Sequence, residues 1–211
     1  MRSFFLLLFF TFPILNFSQG DKGIDQLSKV DFKIINAEVM VNPVNREVSG
    51  TMEFIFEVLE KTDSVFIDAR NMNFENVMLN NIPIETRTDN DRLWIIYYFT
   101  PSEKNILRLN YEARPKQTMY FINWNIPEEV EANRQVWTQG QGRYTSHWFP
   151  SFDDTREKVV FNINYAFNSD YEVVANGELV EKVGLNDSLL LWKYRMKDPM
   201  SSYLVAMAAG N

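Results

Sequence analysis

The chain has no cysteine, and only one of its 211 residues is a histidine. The first absence removes disulfides, thiolate zinc sites and cysteine nucleophiles together. The second leaves His147 as the sole imidazole, whereas a hydrolytic zinc site takes three protein ligands, His and carboxylate, around an open fourth position. A His-Glu-x-x-His helix is missing, and so are a Gly-x-Ser-x-Gly elbow and a Gly-x-x-x-x-Gly-Lys phosphate loop. Positive charge is also short. Lys and Arg total 21 against 28 Asp and Glu, a net charge of -7, with no basic stripe of the kind that displaces counterions from a polyanion. That argues against nucleic acid, and the acidity reads as a matter of solubility.

No hydrophobic run reaches the roughly 20 residues that span a bilayer. The longest stands at the start, where Met1-Arg2 leads to an apolar stretch from Phe4 to Leu15, broken by Thr11 and Pro13 and closed by Ser18, Gln19 and Gly20. A cationic start, a short apolar core and a small or polar end read as a secretory signal peptide over residues 1–20. On that reading the mature part, 21–211, is exported to the periplasm or the cell exterior, with no membrane span after cleavage.

What the chain has in quantity is aromatic side chains. They make up 15% of it, with 17 Phe and 9 Tyr, beside 45% hydrophobic and 23% charged residues overall. Aromatic and β-branched residues suit a pleated, half-buried surface. From Val30 onward the pattern is strand after strand. Met52, Phe54, Phe56 and Val58 alternate with Glu53, Ile55 and Glu57, near period 2. Turn signals separate the strands at Asn42-Pro43, Asn80-Asn81, Asp89-Asn90-Asp91 and Asn176-Gly177, the last being the strongest hairpin signal in the chain. Only 128–134, after Pro127 and with an acidic first turn, suggests a short helix. The expectation is an all-β fold, a saddle-like β-sandwich of about a dozen short strands.

Three places could hold chemistry. His147 sits beside Trp148 and Phe149 and reads as an imidazole packed among aromatics with one polar edge satisfied. Asp153-Asp154 would point to opposite faces of a strand, so in a turn they read as caps for backbone amides. The segment Trp137-Thr138-Gln139-Gly140-Gln141-Gly142-Arg143 is polar and glycine-spaced. It is either a ligand-contacting loop whose glycines allow close backbone approach and unusual dihedrals, or a wide turn whose glutamines bond the backbone.

At this segment the chain resembles the M1 family of zinc aminopeptidases, the aminopeptidase N and leukotriene A4 hydrolase-like enzymes, in their N-terminal domain only. The resemblance is carried by Thr138-Gln139-Gly140-Gln141, by Trp148-Phe149-Pro150 with Phe152-Asp153-Asp154, and by Glu157-Lys158 with Phe161. Ile67-Asp68-Ala69-Arg70 precedes these, and Pro199-Met200-Ser201-Ser202-Tyr203-Leu204-Val205-Ala206 follows them in the family's order. Nearly all of 21–211 is covered. The resemblance implies a saddle-like β domain that packs on a zinc domain and lends it a Gln or Glu for the α-amino group of a peptide. The matching position is Gln141, and Gln139 is taken with it as substrate-binding. Zinc belongs to the complete family enzyme and none to this chain alone, since the family's catalytic motifs do not occur here. Ser146 stands where many members have Arg, and Thr155 where they have Pro. The implied function is the amine-binding domain, or a truncated form, of an exported metalloaminopeptidase whose partners are peptide N-termini and a catalytic domain absent from this chain. Two other readings stay open, a stand-alone secreted module binding peptides or a partner protein, and a carbohydrate-binding sandwich stacking sugars on Trp124, Trp137 and Trp148.

Overall fold

The computed structural model describes residues 26–127 and 129–210; the segment read as a signal peptide, with Glu128 and Asn211, lies outside them. One helical turn, α1 (Gln26–Lys29), leads into β1 (Val30–Asn42), β2 (Glu47–Val58), β3 (Thr62–Asp68), β4 (Met72–Leu79), β5 (Ile82–Pro83), β6 (Thr86–Thr88) and β7 (Arg92–Phe99). Next come β8 (Ser102–Ala113), β9 (Met119–Ile122), β10 (Gln135–Thr138), β11 (Val160–Asn168) and β12 (Glu172–Ala175). The last strands are β13 (Glu178–Asn186), β14 (Leu189–Arg195) and β15 (Met207–Gly210). The fold is all-β as expected. Fifteen strands are present among the described residues, and β1, β2 and β8, at 12 or 13 residues, are far from short.

The strands form three sheets. Eight lie in the order β13-β14-β11-β1-β2-β8-β4-β5, four in the order β12-β15-β10-β9, and three in the order β3-β7-β6. In β2 the alternation works as read. Met52, Phe54, Phe56 and Val58 are buried, while Glu53, Ile55 and Glu57 are half-exposed opposite them. Phe152 ties the large sheet to the three-stranded one, its ring 5.5 Å from Phe32 of β1 and 5.5 Å from Phe66 of β3. The four-stranded sheet is held to the large one where the Tyr194 hydroxyl of β14 donates to the Val173 carbonyl of β12 at 2.6 Å.

Two turns do what their sequences suggest. Asn80 and Asn81 both take positive φ and join β4 to β5, and Asp89-Asn90-Asp91 joins β6 to β7. Asn176-Gly177 does not close a hairpin. β12 pairs with β15 and β13 with β14, so this turn is a corner where the chain leaves one sheet for another. The Asn176 side-chain oxygen fixes the corner by accepting from the Ala206 amide at 2.6 Å. The short helix over 128–134 is also corrected, since 129–134 is turn and irregular backbone. The Arg134 guanidinium donates to the carbonyls of Ile126 and Pro127 at 3.2 and 2.8 Å, groups that a helix there would need as acceptors.

Candidate functional site

The glycine-spaced segment is the connection leaving β10, and each residue in it has a separate physical reason. The Gln139 amide donates to the Thr118 carbonyl at 2.7 Å, extending the ladder with the β9 side by one step. Gln135, Trp137 and Gln139 therefore share one side of the strand. At Gly140 a Cβ would stand 2.4 Å from Thr145 Oγ1 and 3.2 Å from the Tyr203 carbonyl, so a larger residue cannot sit there without displacing the loop. Gly142 has φ +89, the left-handed region. Between these two glycines Gln141 is held out on a tight turn, and both Gln139 and Gln141 are exposed.

The turn stands on a buried polar base. The Asp153 carboxylate accepts from the Ser146 amide at 3.0 Å and from the hydroxyls of Ser151 and Ser202, each at 2.7 Å. Its own amide donates to Asp68 at 2.9 Å, and Asp68 in turn accepts from Arg92 Nε at 3.2 Å. Burial pushes the Asp68 carboxyl above its ordinary range, against the opposing pull of the Asp153 amide and of Arg92. Thr145 Oγ1 donates to the Ser202 carbonyl at 2.9 Å, and Trp148 and Phe149 are fully buried beneath the loop. Asp154 accepts from the Arg156 amide at 2.9 Å. Both aspartates thus act as caps, as their sequence context suggests. Sequence reasoning placed Asp68 and Ser202 in the segments that carry the resemblance but gave neither them nor Arg92 a part in this base; they lie 85, 49 and 61 residues from Asp153, and Arg92 reaches it through Asp68.

His147 closes the far side of the turn. Its ring stacks on Tyr144 with centroids 5.7 Å apart and planes at 24°, and its Nε2 lies 2.7 Å from the Gln117 side-chain nitrogen. Burial lowers its pKa, and the Arg70 charge lowers it further. Ser146, where many M1 members carry Arg, has a buried hydroxyl without a hydrogen-bond partner. A cleft of about 720 Å³ opens beside the turn, lined in part by Asp68, Arg70, Arg92, Arg143 and Asp154. Its charges are largely consumed in pairs: Arg70 with Asp91 at 2.7 Å, Arg92 with Asp68, and Arg156 with Asp154 at 2.9 Å. The three tryptophans do not form a sugar platform. Trp148 is 0% exposed, and Trp124 packs against Phe167 and Tyr171, leaving Trp137 on the open side. Among the described residues no group of three His, Cys, Asp or Glu side chains could hold a metal ion.

One further feature adjoins the turn. The four-stranded sheet turns Val173, Ala209, Val136 and Phe121 inward and sets Val174, Ala208, Trp137 and Tyr120 in one register row on its outer face. Tyr120 and Trp137 stack at 4.2 Å, and Val174 is 67% exposed. Ile122, exposed on the same side of β9, widens the row.

The profile of the peptidase M1 N-terminal domain matches residues 30–204. The chain belongs to that family. An M1 N-terminal domain fold also emerges from solved structures. A two-domain M1 zinc metallopeptidase mutant bound to L-tryptophan superposes with a TM-score of 0.74 at 13% identity, over 86% of this chain and 43% of that one. The M1 zinc metallopeptidase of Deinococcus radiodurans bound to a Tyr-Ser-Ala substrate gives 0.74 at 14% identity, over 86% and 42%. Among curated relatives, aminopeptidase B of Mus musculus is 28% identical over 92 residues, 43% of this chain and 14% of its own length. Transcription initiation factor TFIID subunit 2 of Gallus gallus is 21% identical over an alignment covering 93% of this chain and 21% of that protein. The chain thus spans less than half of each solved structure and about a fifth or less of each curated relative.

Proposed function

We propose that this M1 N-terminal domain is the amine-recognising part of an exported zinc aminopeptidase, with Gln141 as the main acceptor for a peptide's free α-amino group and Gln139 beside it. A carboxamide oxygen accepts from an ammonium, and the turn between Gly140 and Gly142 presents it exposed above a buried polar base. The observation that carries the reading is the apolar row Val174-Ala208-Trp137-Tyr120 running beside that turn. An apolar patch of this kind supports docking of the zinc domain on this face, beside the turn that carries Gln139 and Gln141. The composition of residues 1–20 supports export to the periplasm or beyond. The zinc chemistry, polarising a peptide carbonyl and activating water, is supplied by the docked domain.

The purified chain is assayed on an aminoacyl chromogenic substrate, with zinc added and with chelator as control. No turnover is expected. Chelator-sensitive turnover that disappears in Gln141→Ala would require a metal site within this chain and would overturn the division of labour proposed here.

A second reading, a non-catalytic module that binds peptides or a partner protein, is favoured by the similarity to the TFIID subunit across 93% of the chain, since that name denotes no peptidase. The same surface would then serve a partner other than a zinc domain.

A further inference from the structure

We propose that Tyr144 presents its ring as a cation–π platform for the ammonium group that Gln141 accepts from, an inference that rests on the amine-binding reading above. Tyr144 closes the turn that begins at Gln141, and it is 49% exposed. Its position is not loose. A Cβ built at Gly142 would meet Tyr144 Cδ2 at 3.6 Å and Cε2 at 3.7 Å, so one edge of the ring stands about a methyl group away from the backbone next to Gln141. His147 stacks on it at 5.7 Å and 24°, and Gln117 holds His147 in turn, 2.7 Å from its Nε2. His147, itself held by Gln117, therefore sets the plane of the ring.

The charge balance gives the ring a purpose. Gln141 and Gln139 are neutral, and a carboxamide supplies acceptor geometry without the countercharge that a carboxylate would bring. The charged side chain within the turn is Arg143, exposed and 3.9 Å from Asp154, and its sign repels an ammonium. An aromatic face attracts a cation through its quadrupole and needs no counterion. The imidazole behind the ring does not undo this. Burial lowers the His147 pKa most and the Arg70 charge lowers it further, while the charges of Asp153 and Asp91 oppose that shift. The net shift disfavours a positive charge behind the ring.

The test is an NMR titration of the isotopically labelled full chain with L-leucinamide, N-acetyl-L-leucinamide, tetramethylammonium and its neutral isostere 3,3-dimethyl-1-butanol. L-leucinamide and tetramethylammonium are expected to shift the Tyr144, Gly142 and His147 resonances, and the two uncharged probes to leave them in place. Tyr144→Leu should weaken L-leucinamide about two- to fivefold, while Tyr144→Phe, which keeps the ring, restores it. Gln141→Ala should weaken L-leucinamide and leave tetramethylammonium unchanged, since that cation has no N–H to donate.

If Gln141→Ala weakens L-leucinamide but Tyr144→Leu does not, the platform is wrong and the amine-binding reading stands. If the neutral isostere binds as well as tetramethylammonium, Tyr144 is an apolar contact and the platform is again wrong. If L-leucinamide produces no shift in the unmodified chain, both readings fall together.

Discussion

Glu157 is held almost out of solvent, where its side-chain oxygen accepts from the Phe32 amide at 2.7 Å. Burial raises its pKa from 4.5 to about 7, the Phe32 amide opposes that shift, and the charges of Asp31 and Asp154 add to it. Between those two values the folded chain keeps a proton that the unfolded chain has already released. The stability Glu157 contributes is therefore complete below about pH 4.5 and is lost as pH rises through 7, on the order of 3 kcal/mol in all. Glu157→Gln keeps the acceptor and removes the titration, so urea midpoints for this variant should change less between pH 5 and pH 8 than those of the unmodified chain. Equal slopes would show that the carboxyl does not hold its proton in the fold. Asp153 makes the contrasting case, a buried carboxylate whose value lies in the donors it satisfies. Asp153→Ala strands the Ser146 amide and two serine hydroxyls, and urea unfolding should show a loss of at least about 3 kcal/mol.

At the scale of elements, the sequence carried what is local and missed what is not. The period-2 run in β2 and the paired asparagines at 80–81 are complete signals, because side-chain alternation and positive φ are properties of a few adjacent residues. Asn176-Gly177 is chemically as good a turn as any of them, but a turn does not say which strands it joins. Here pairing is decided by β15 and β14, which lie 30 and about 15 residues further on. The parallel pairing of β1 with β11, Ile34 opposite Val160, spans most of the chain and leaves no mark in either strand's composition. The candidate site divides in the same way. Gln139, Gln141 and their glycines were visible as a conspicuous segment, and the caps at Asp153 and Asp154 as turn chemistry. The part Asp68 and Arg92 play in the base was not legible, since it depends on the isolated bridge that places Asp68 opposite Ser151. The packing of His147 was half anticipated: its ring is stacked on Tyr144 and meets Gln117, yet it remains partly open to solvent.

For the whole molecule the decisive contrast lies between the outer faces of two sheets. Across the large sheet a polar ladder closes on itself: Asn162 donates to Asn36 at 3.0 Å, Asn36 to Glu53 at 2.9 Å, and Arg108 to Glu53 at 2.9 Å. Such a face has its hydrogen bonds satisfied and is content in water. The outer row of the four-stranded sheet is the opposite, apolar over four neighbouring strands. Nothing in the described core requires that row, since Val173, Ala209, Val136 and Phe121 point the other way. Replacing Tyr120 and Val174 by Lys should therefore leave the unfolding free energy from urea titration within about 1.5 kcal/mol of its original value, the loss of the Tyr120–Trp137 stack included. The same double substitution should reduce binding of a hydrophobic dye and, in a polypeptide that also contains the zinc domain, separate the melting of the two parts. Loss of folding in the double variant would mean that the row belongs to this domain's own core. Unchanged co-melting with the zinc domain would place the docking surface elsewhere, and the amine-binding turn proposed above would then need another route to the zinc.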